Sequence, residues 1–517
     1  MIKETIIGQV HNFSKSDRFF FIILVLFSIF GLITKLVMSL NVELDSDQVL
    51  VGIASMEMWK HGNWLLNDFY FTSSYPSIYS DIIPFHLLPQ IITDFSPDAL
   101  RISCFIIFVF LISAFTMIIF YFSKNVINSA VFFALMANMF PISYFFYGHS
   151  LYHVATAFFA VLFLLFLFLF DYGNTSRIHS LIFLLFIILF NLILFSDTII
   201  LVWLAIPYAI YYIFFNKNRT SRSNLYLLIL YITLGITFVY KNFFIPNFIP
   251  ISNTYPLYIK NIHDILTSNL PLYIKGIFAL TNGNLYALLE KPEIADYAGS
   301  VIFLIAIVFT LLAIKNGGYQ KYKPLFIIFM LSALIISAIY LTTSYCIDFG
   351  SSRYLIFAAT SLIAVIALGF SSQNKLFVAS VLLVLIFGAA SNAMYISNMK
   401  NSPNSAENEL ITYLQGQNLS YGWGDYWDAN IITYLSDEKI IVRPMRTTKT
   451  GFSPFYWLTS AHWYTFNEIN TDKLFIVVHT GAFLKKEDID MIILTSAPEK
   501  ILKNGDYLIY VFPTKTN

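Results

Sequence analysis

"ELDSDQVLVGIASMEMWKHGNW" (Glu43–Trp64) follows directly on the first long apolar stretch of the chain, residues 19–40. Glu43, Asp45 and Asp47 carry carboxylates, which hydrocarbon does not tolerate, so the apolar stretch ends before them. Beyond them Val49, Leu50, Ile53, Met56, Met58 and Trp59 recur at helical spacing and give an imperfect apolar face. That pattern reads as a helix lying along a membrane interface. Asp47 stands near its N-terminus, where an aspartate commonly accepts hydrogen bonds from free backbone N–H groups. Its other reading, a chemical one, depends on which side of a membrane it faces.

The remainder of the chain supplies the membrane. Of 517 residues 57% are hydrophobic, 18% aromatic and 12% charged, too few charges to cover a soluble globule of this size. Runs long enough to cross about 30 Å of hydrocarbon lie near 19–40, 102–122, 126–146, 154–171, 180–196, 198–215, 225–245, 299–314, 325–343, 355–370 and 376–394, about eleven spans. The first run is longer than a signal-peptide core and no small-residue cleavage pattern follows it, so it reads as a retained helix. Lys3, Lys15, Arg18, Lys124, Arg177, Lys217, Arg219, Arg222, Lys315, Lys321, Lys323 and Lys375 all fall on one side of this array. By the positive-inside rule that side, with the N-terminus, is cytoplasmic.

The opposite side receives the loop 41–101 with Glu43, Asp45, Asp47, Asp68, Asp81, Asp94 and Asp98, the short loop 147–153, Asp197, the loop 246–298 and the segment around Arg353. An odd number of spans also puts the C-terminal region there. Residues 1–395 thus read as a transmembrane domain and 396–517, opening with the polar run "KNSPNSAENE" from Lys400, as a separate one. In it "ELITYLQGQ" and "WDANIITYLS" look helical, while "LSYGWGDY", "KIIVRPM", "LFIVV" and "YLIYVF" look like strands. The fold class expected is an α-helical polytopic membrane protein with a small C-terminal α/β domain outside the membrane. Cys104 and Cys346 suggest neither a disulfide framework nor a thiolate metal site.

With this frame, "ELDSDQVLVGIASMEMWKHGNWLL" resembles the first outer loop of the GT-C superfamily of membrane glycosyltransferases, in particular the lipid A aminoarabinose transferase and protein O-mannosyltransferase branches. Those families carry an Asp, often Asp-Glu, after the first helix, then a small-residue helix and a Gly-[Asn/Asp]-Trp turn. Counting back from Gly62-Asn63-Trp64, Asp47 occupies the family's Asp position, Asp45 is the second choice, and Gln48 stands where a Glu often follows. "SSRYLIFAATSL" resembles the Arg-Tyr element at the outer start of a late helix in the same families, which implies a donor-phosphate contact for Arg353; the plain alternative is a snorkelling anchor. "FSDTIILVWLAIP" puts Asp197 at an outer helix end, as in several members, where a helix cap is the alternative.

Other stretches suit a sugar or its lipid carrier. "GHSLYH" spaces His149 and His153 four apart, but no Glu stands between them as in a zinc-protease helix, so hydrogen bonding to phosphate or sugar hydroxyls is the fairer reading. "YPLYIK" (255–260) recurs loosely as "LPLYIK" (270–275), two aromatic, basic patches that offer Lys260 and Lys275 to a lipid phosphate. "YGWGDYWDANIITYLS" resembles the soluble tail of polytopic bacterial glycosyltransferases. Its Tyr421, Trp423, Tyr426 and Trp427, like Trp64, suit stacking on a sugar ring, although a small domain core uses the same residues.

The chain has no P-loop and no Gly-rich dinucleotide fingerprint, and its basic residues are spread over short loops, so nucleotide donors and nucleic acids are not expected partners. The resemblance implies a bacterial inner-membrane hexosyltransferase. It would move a sugar, glucose by analogy with serotype-converting enzymes, from a polyprenyl-phosphate donor to a hydroxyl of a surface polysaccharide such as O-antigen, on the periplasmic side. Asp47 would be the general base. Some superfamily members use a divalent metal; here no cofactor is expected, because Asp47 beside Gln48 is a thin ligand set. The alternatives are a flippase or transporter of lipid-linked saccharides and an O-antigen polymerase.

Overall fold

A computed structural model describes residues 9–70, 78–139, 151–172, 177–216, 221–244, 258–281, 298–315, 322–348, 350–399, 402–448, 451–464, 473–479 and 497–513. Its helices are α1 (Lys15–Leu40), α2 (Leu50–Trp59), α3 (Leu87–Ile92), α4 (Pro97–Ser123), α5 (Val126–Asn138), α6 (Leu151–Tyr172), α7 (Arg177–Ser196), α8 (Ile206–Phe214), α9 (Ser221–Val239), α10 (Leu270–Thr281), α11 (Ala298–Lys315), α12 (Lys323–Thr342), α13 (Ile356–Gly369), α14 (Lys375–Ser397), α15 (Ser405–Gly416) and α16 (Tyr426–Leu435). Every stretch expected to span is helical over most of its described residues. Six helical segments among those residues are long and apolar enough to cross a membrane, and shorter apolar helices accompany them.

The chain divides into two compact units, the first comprising Met1–Leu40, Cys104–Phe238 and Tyr255–Met399. Its outer helices turn large apolar side chains away from the protein: Phe19, Leu26 and Ile33 of α1 are more than half exposed, whereas Leu24, Lys35 and Met38 of the same helix are buried. Such an exposed apolar belt belongs against lipid, where a helix pairs its backbone N–H and C=O groups along its own length. α13 is buried along nearly its whole length and forms the centre of the unit. Small residues permit close helix approaches: a Cβ at Gly31 would stand 2.8 Å from Ala137, and one at Gly388 would stand 2.5 Å from the Asn138 carbonyl oxygen. Lys35 is fully buried and donates to Asn392 Oδ1 at 2.5 Å, tying α1 to α14 by a polar contact inside an otherwise apolar bundle.

The second unit comprises Asn41–Ser103, Val239–Thr254 and Lys400–Asn517. Its sheet contains β1 (Tyr421–Gly424), β2 (Ile441–Thr448), β3 (Gly451–Pro454), β4 (Lys473–His479), β5 (Lys500–Asn504) and β6 (Tyr507–Pro513), in the order β3-β2-β1-β4-β6-β5. β1 runs parallel to β2 and β4, and the outer pairings are antiparallel. α16 joins β1 to β2, the crossover a parallel pair requires. Gly422 in β1 has no room for a side chain, since a Cβ would stand 2.5 Å from the Phe475 carbonyl oxygen on β4.

α2 differs from expectation. Leu50 to Met58 are all buried, so the helix presents no polar face and lies inside this unit instead of along an interface. It packs on α16 at Gly52, where any Cβ would collide with the Tyr434 ring. The Tyr434 hydroxyl in turn donates to Gln90 Oε1 at 2.9 Å, on α3.

Candidate functional site

Asp45, Asp47 and their neighbours occupy the turn that leads into α2. Gln48 N–H donates to Asp45 Oδ1 at 2.8 Å, and Asp45 N–H donates to Gln48 Oε1 at 2.9 Å. This reciprocal pair has the hydrogen-bond pattern of a capping box and closes the turn that precedes α2. The helix's own N-cap residue, Val49, receives no side-chain cap. Asp47, half-buried, accepts a hydrogen bond at Oδ1 from the Tyr426 hydroxyl at 2.6 Å.

The backbone that carries Asp47 is held from several directions. Ser46 Oγ donates a bifurcated bond to the Tyr426 and Trp427 carbonyl oxygens, at 2.6 and 2.7 Å. Asn404, in the left-handed region at φ 58°, pairs with the Leu44 backbone, accepting from its N–H at 3.0 Å and donating to its C=O at 2.8 Å. Asparagine tolerates this conformation better than most side chains. Arg101 donates from Nε to the Val42 carbonyl at 3.0 Å and from a terminal nitrogen to Asn404 Oδ1 at 3.1 Å.

Tyr426 stands at the carboxyl end of β1, in the first turn of α16, a position where α/β sheets commonly place functional groups. Asp425 caps the helix by accepting from Trp427 N–H at 3.0 Å. The Tyr426 ring is buried against Trp427 (centroids 5.3 Å apart, 76°) and Phe455 (5.9 Å, 77°), so its hydroxyl is what it offers to the site. Trp427 is 43% exposed. Burial pushes the Asp425 carboxyl up, and burial with the nearby Asp425 and Glu407 charges pushes Asp428 up to about 7.

A second ionic cluster in this unit has no counterpart in the sequence reading. Glu57, buried within apolar α2, accepts from Trp463 Nε1, and its other oxygen lies 3.5 Å from His462 Nε2. The Arg443 guanidinium sits 4.3 Å from the Trp463 ring centroid, and burial lowers its affinity for the proton. A lone glutamate in the otherwise apolar run "LVGIASMEMW" is the signal that marks it. At the end of α2, Lys60 meets Asp437 at 2.5 Å and His61 meets Glu438 at 2.9 Å, a bond that raises the imidazole above its ordinary range. Trp64, 48% exposed, packs edge-on against Trp59 with centroids 5.8 Å apart.

The remaining sequence-predicted residues lie in the helical unit. Arg353 falls on a 3-10 turn, Gly350–Leu355, at the start of α13, with its guanidinium 5.4 Å from the Tyr354 ring centroid. Tyr354 meets Tyr345 (5.3 Å, 49°), whose hydroxyl is pushed up by burial and by the nearby Tyr354 and Asp197. Asp197 is buried and accepts from Ile199 N–H at 2.9 Å, a helix-capping bond. Lys260 donates to Asn269 Oδ1 at 2.9 Å and to the Cys346 carbonyl at 2.8 Å. Arg353, Asp197 and Lys260 are thus gathered around the loop 343–348, while Lys275 is exposed on α10. His149 and the His153 side chain lie outside the described residues.

No family model and no curated protein matches the chain in sequence. In structure it is similar to ArnT from Cupriavidus metallidurans bound to undecaprenyl phosphate, with a TM-score of 0.59 and 10% sequence identity over 94% of this chain and 97% of that one. It is similar also to the same protein in the apo state, with a TM-score of 0.58, 10% identity and the same coverage. The chain therefore shares the fold of ArnT, in keeping with the polytopic helical fold and small C-terminal domain expected from its sequence.

Proposed function

We propose that the chain is a membrane glycosyltransferase that moves a sugar from a polyprenyl-phosphate donor to a hydroxyl of a surface polysaccharide, with Asp47 as general base. The observation that carries this reading is the Asp47 carboxylate itself. It follows the first span by a few residues and accepts the Tyr426 hydroxyl, and it stands in a fold shared with a protein whose crystal structure holds undecaprenyl phosphate.

In the reaction proposed, an acceptor oxygen attacks the anomeric carbon as Asp47 takes its proton. The carbon–oxygen bond to the lipid phosphate breaks, and a single displacement inverts the anomeric centre. The leaving phosphate is already stable as an anion, so the protein has chiefly to position it and to neutralise charge. Arg353 suits that task, because a guanidinium fork makes two charge-assisted hydrogen bonds to one phosphate. Lys260, Lys275, Asp197, His149 and His153 are proposed as further contacts to the donor, and Trp427 and Trp64 as stacking surfaces for sugar rings. Glucose as the sugar, O-antigen as the acceptor, the periplasmic face as the place of reaction and a cytoplasmic N-terminus complete the proposal.

The test is transfer of radiolabelled glucose from polyprenyl-phosphate-glucose to polysaccharide by membranes carrying the full chain. Label in the polysaccharide supports the reading; none, with the protein present and folded, contradicts it and favours a flippase or a polymerase of lipid-linked units.

A further inference from the structure

We infer that Tyr426, in the C-terminal domain, is a positioning residue for the transfer reaction, holding the Asp47 carboxyl in the plane from which it takes the acceptor's proton. The inference rests on the reading of Asp47 as the base, and it makes the domain formed by the tail a working part of the catalytic centre.

The bond joins residues 379 apart in the chain, at 2.6 Å, a short distance typical of a hydroxyl donating to a carboxylate. The phenol has little freedom. Its ring is 4% exposed and wedged between Trp427 and Phe455, so the hydroxyl points where the packing puts it. The other side of the bond is equally constrained. Ser46 is tied to the Tyr426 and Trp427 carbonyls, and the Asp45–Gln48 pair closes the turn around Asp47. With its main chain held before and after it, the aspartate's remaining freedom is largely rotation of its side chain, and the phenol's bond to Oδ1 restrains that rotation. Fixing a reacting group within tenths of an ångström is a recognised source of rate, and such precision needs a supporting group that is itself locked.

A donated hydrogen bond also favours the charged carboxylate over its protonated form. Loss of the hydroxyl therefore has two separable consequences: the carboxyl is less well aimed, and it holds its proton to higher pH. The charged groups nearest in the chain to the two partners are Glu43 and Asp45 on the segment of Asp47, and Asp425 and Asp428 at the start of α16; Arg101 and Glu407 both bond Asn404, which holds the Leu44 backbone. None of them is altered by Tyr426→Phe.

The experiment compares wild type, Tyr426→Phe, Ser46→Ala and Asp47→Asn as full chains in membranes of the source strain lacking its own copy, where donor and acceptor are the native ones. Transfer is followed against pH. Tyr426→Phe is expected to slow transfer about 10- to 100-fold, the usual effect of a lost hydrogen bond to a charged group, and to move the acidic limb of the profile to higher pH. Ser46→Ala, which removes a neighbouring tie and leaves the Tyr426 hydroxyl in place, is expected to leave that limb unmoved. A wild-type rate and limb in folded Tyr426→Phe would overturn the inference, as would equal slowing in both variants with neither limb shifted, since both outcomes reduce Tyr426 to packing. Asp47→Asn reports separately: full activity there removes the base assignment whatever Tyr426 does.

Discussion

Asp45 and Asp47 stand two residues apart in one turn and are used differently. Asp45 completes a reciprocal pair with Gln48, while Asp47 receives the Tyr426 hydroxyl. Counting back from Gly62-Asn63-Trp64 placed Asp47 at the Asp position of the resemblance, but local sequence gives no means of telling which of two nearby aspartates pairs with Gln48. Nor does it announce a partner 379 residues away, because such a contact depends on how the tail packs. Asp428 carries a prediction at the same scale. Its carboxyl is buried, has an oxygen with no hydrogen-bond partner among the described residues, and holds its proton up to about pH 7 against an ordinary value of 3.8. Between about pH 4 and 7 the folded state then binds more protons than the unfolded one, so stability falls as pH rises through that window. Asp428→Asn is expected to match the wild-type melting temperature near pH 4.5 and to exceed it at pH 8. Equal melting temperatures at both values would contradict the buried charge.

Among the elements, α2 and the sheet show what a pattern reveals and where it stops. The helix over 50–59 was legible from its apolar spacing, but a helix buried on all sides and one lying on an interface differ mainly in what surrounds them. α2 touches α16 through Gly52, and Gly52→Ala drives a methyl into the Tyr434 ring. Overpacking of that kind costs about 1–3 kcal/mol, so the variant is expected to melt earlier than wild type, an effect read directly by thermal unfolding; an unchanged melting temperature would mean that the ring gives way freely. Strands β1, β2, β4 and β6 were all read from alternation or short apolar runs. β3 and β5 were missed, and they are the two edges of the sheet. "GFSP" ends in proline and "KILKN" carries two lysines, residues that protect an edge from further pairing and at the same time erase its strand signature.

For the molecule as a whole, the spans and the tail were legible because bilayer thickness and the exclusion of charge from hydrocarbon constrain sequence strongly. Their arrangement was not, since lipid-facing positions accept almost any apolar residue; 10% identity to ArnT coexists with a shared fold over 94% of the chain. The fixed points of that arrangement are instead sparse, such as Gly31 against Ala137 or Lys35 against Asn392. At the proposed catalytic turn Asp47 is engaged by a phenol and the Gln48 side-chain oxygen by a backbone N–H, which is poor provision for a divalent ion. Transfer is therefore expected to continue at its full rate in excess EDTA; loss on chelation with recovery on adding magnesium, manganese or zinc would contradict metal independence.

The central claim, that Asp47 is the base of a lipid-linked sugar transfer, is tested most directly by replacing each aspartate of the turn in the full chain. Transfer from polyprenyl-phosphate-glucose is measured in membranes carrying wild type, Asp47→Asn or Asp45→Asn, each shown to be folded. Asp47→Asn is expected to lower transfer about a hundredfold or more, in keeping with the loss of a general base, and Asp45→Asn to change it much less. Transfer by Asp47→Asn at the wild-type rate would contradict the claim.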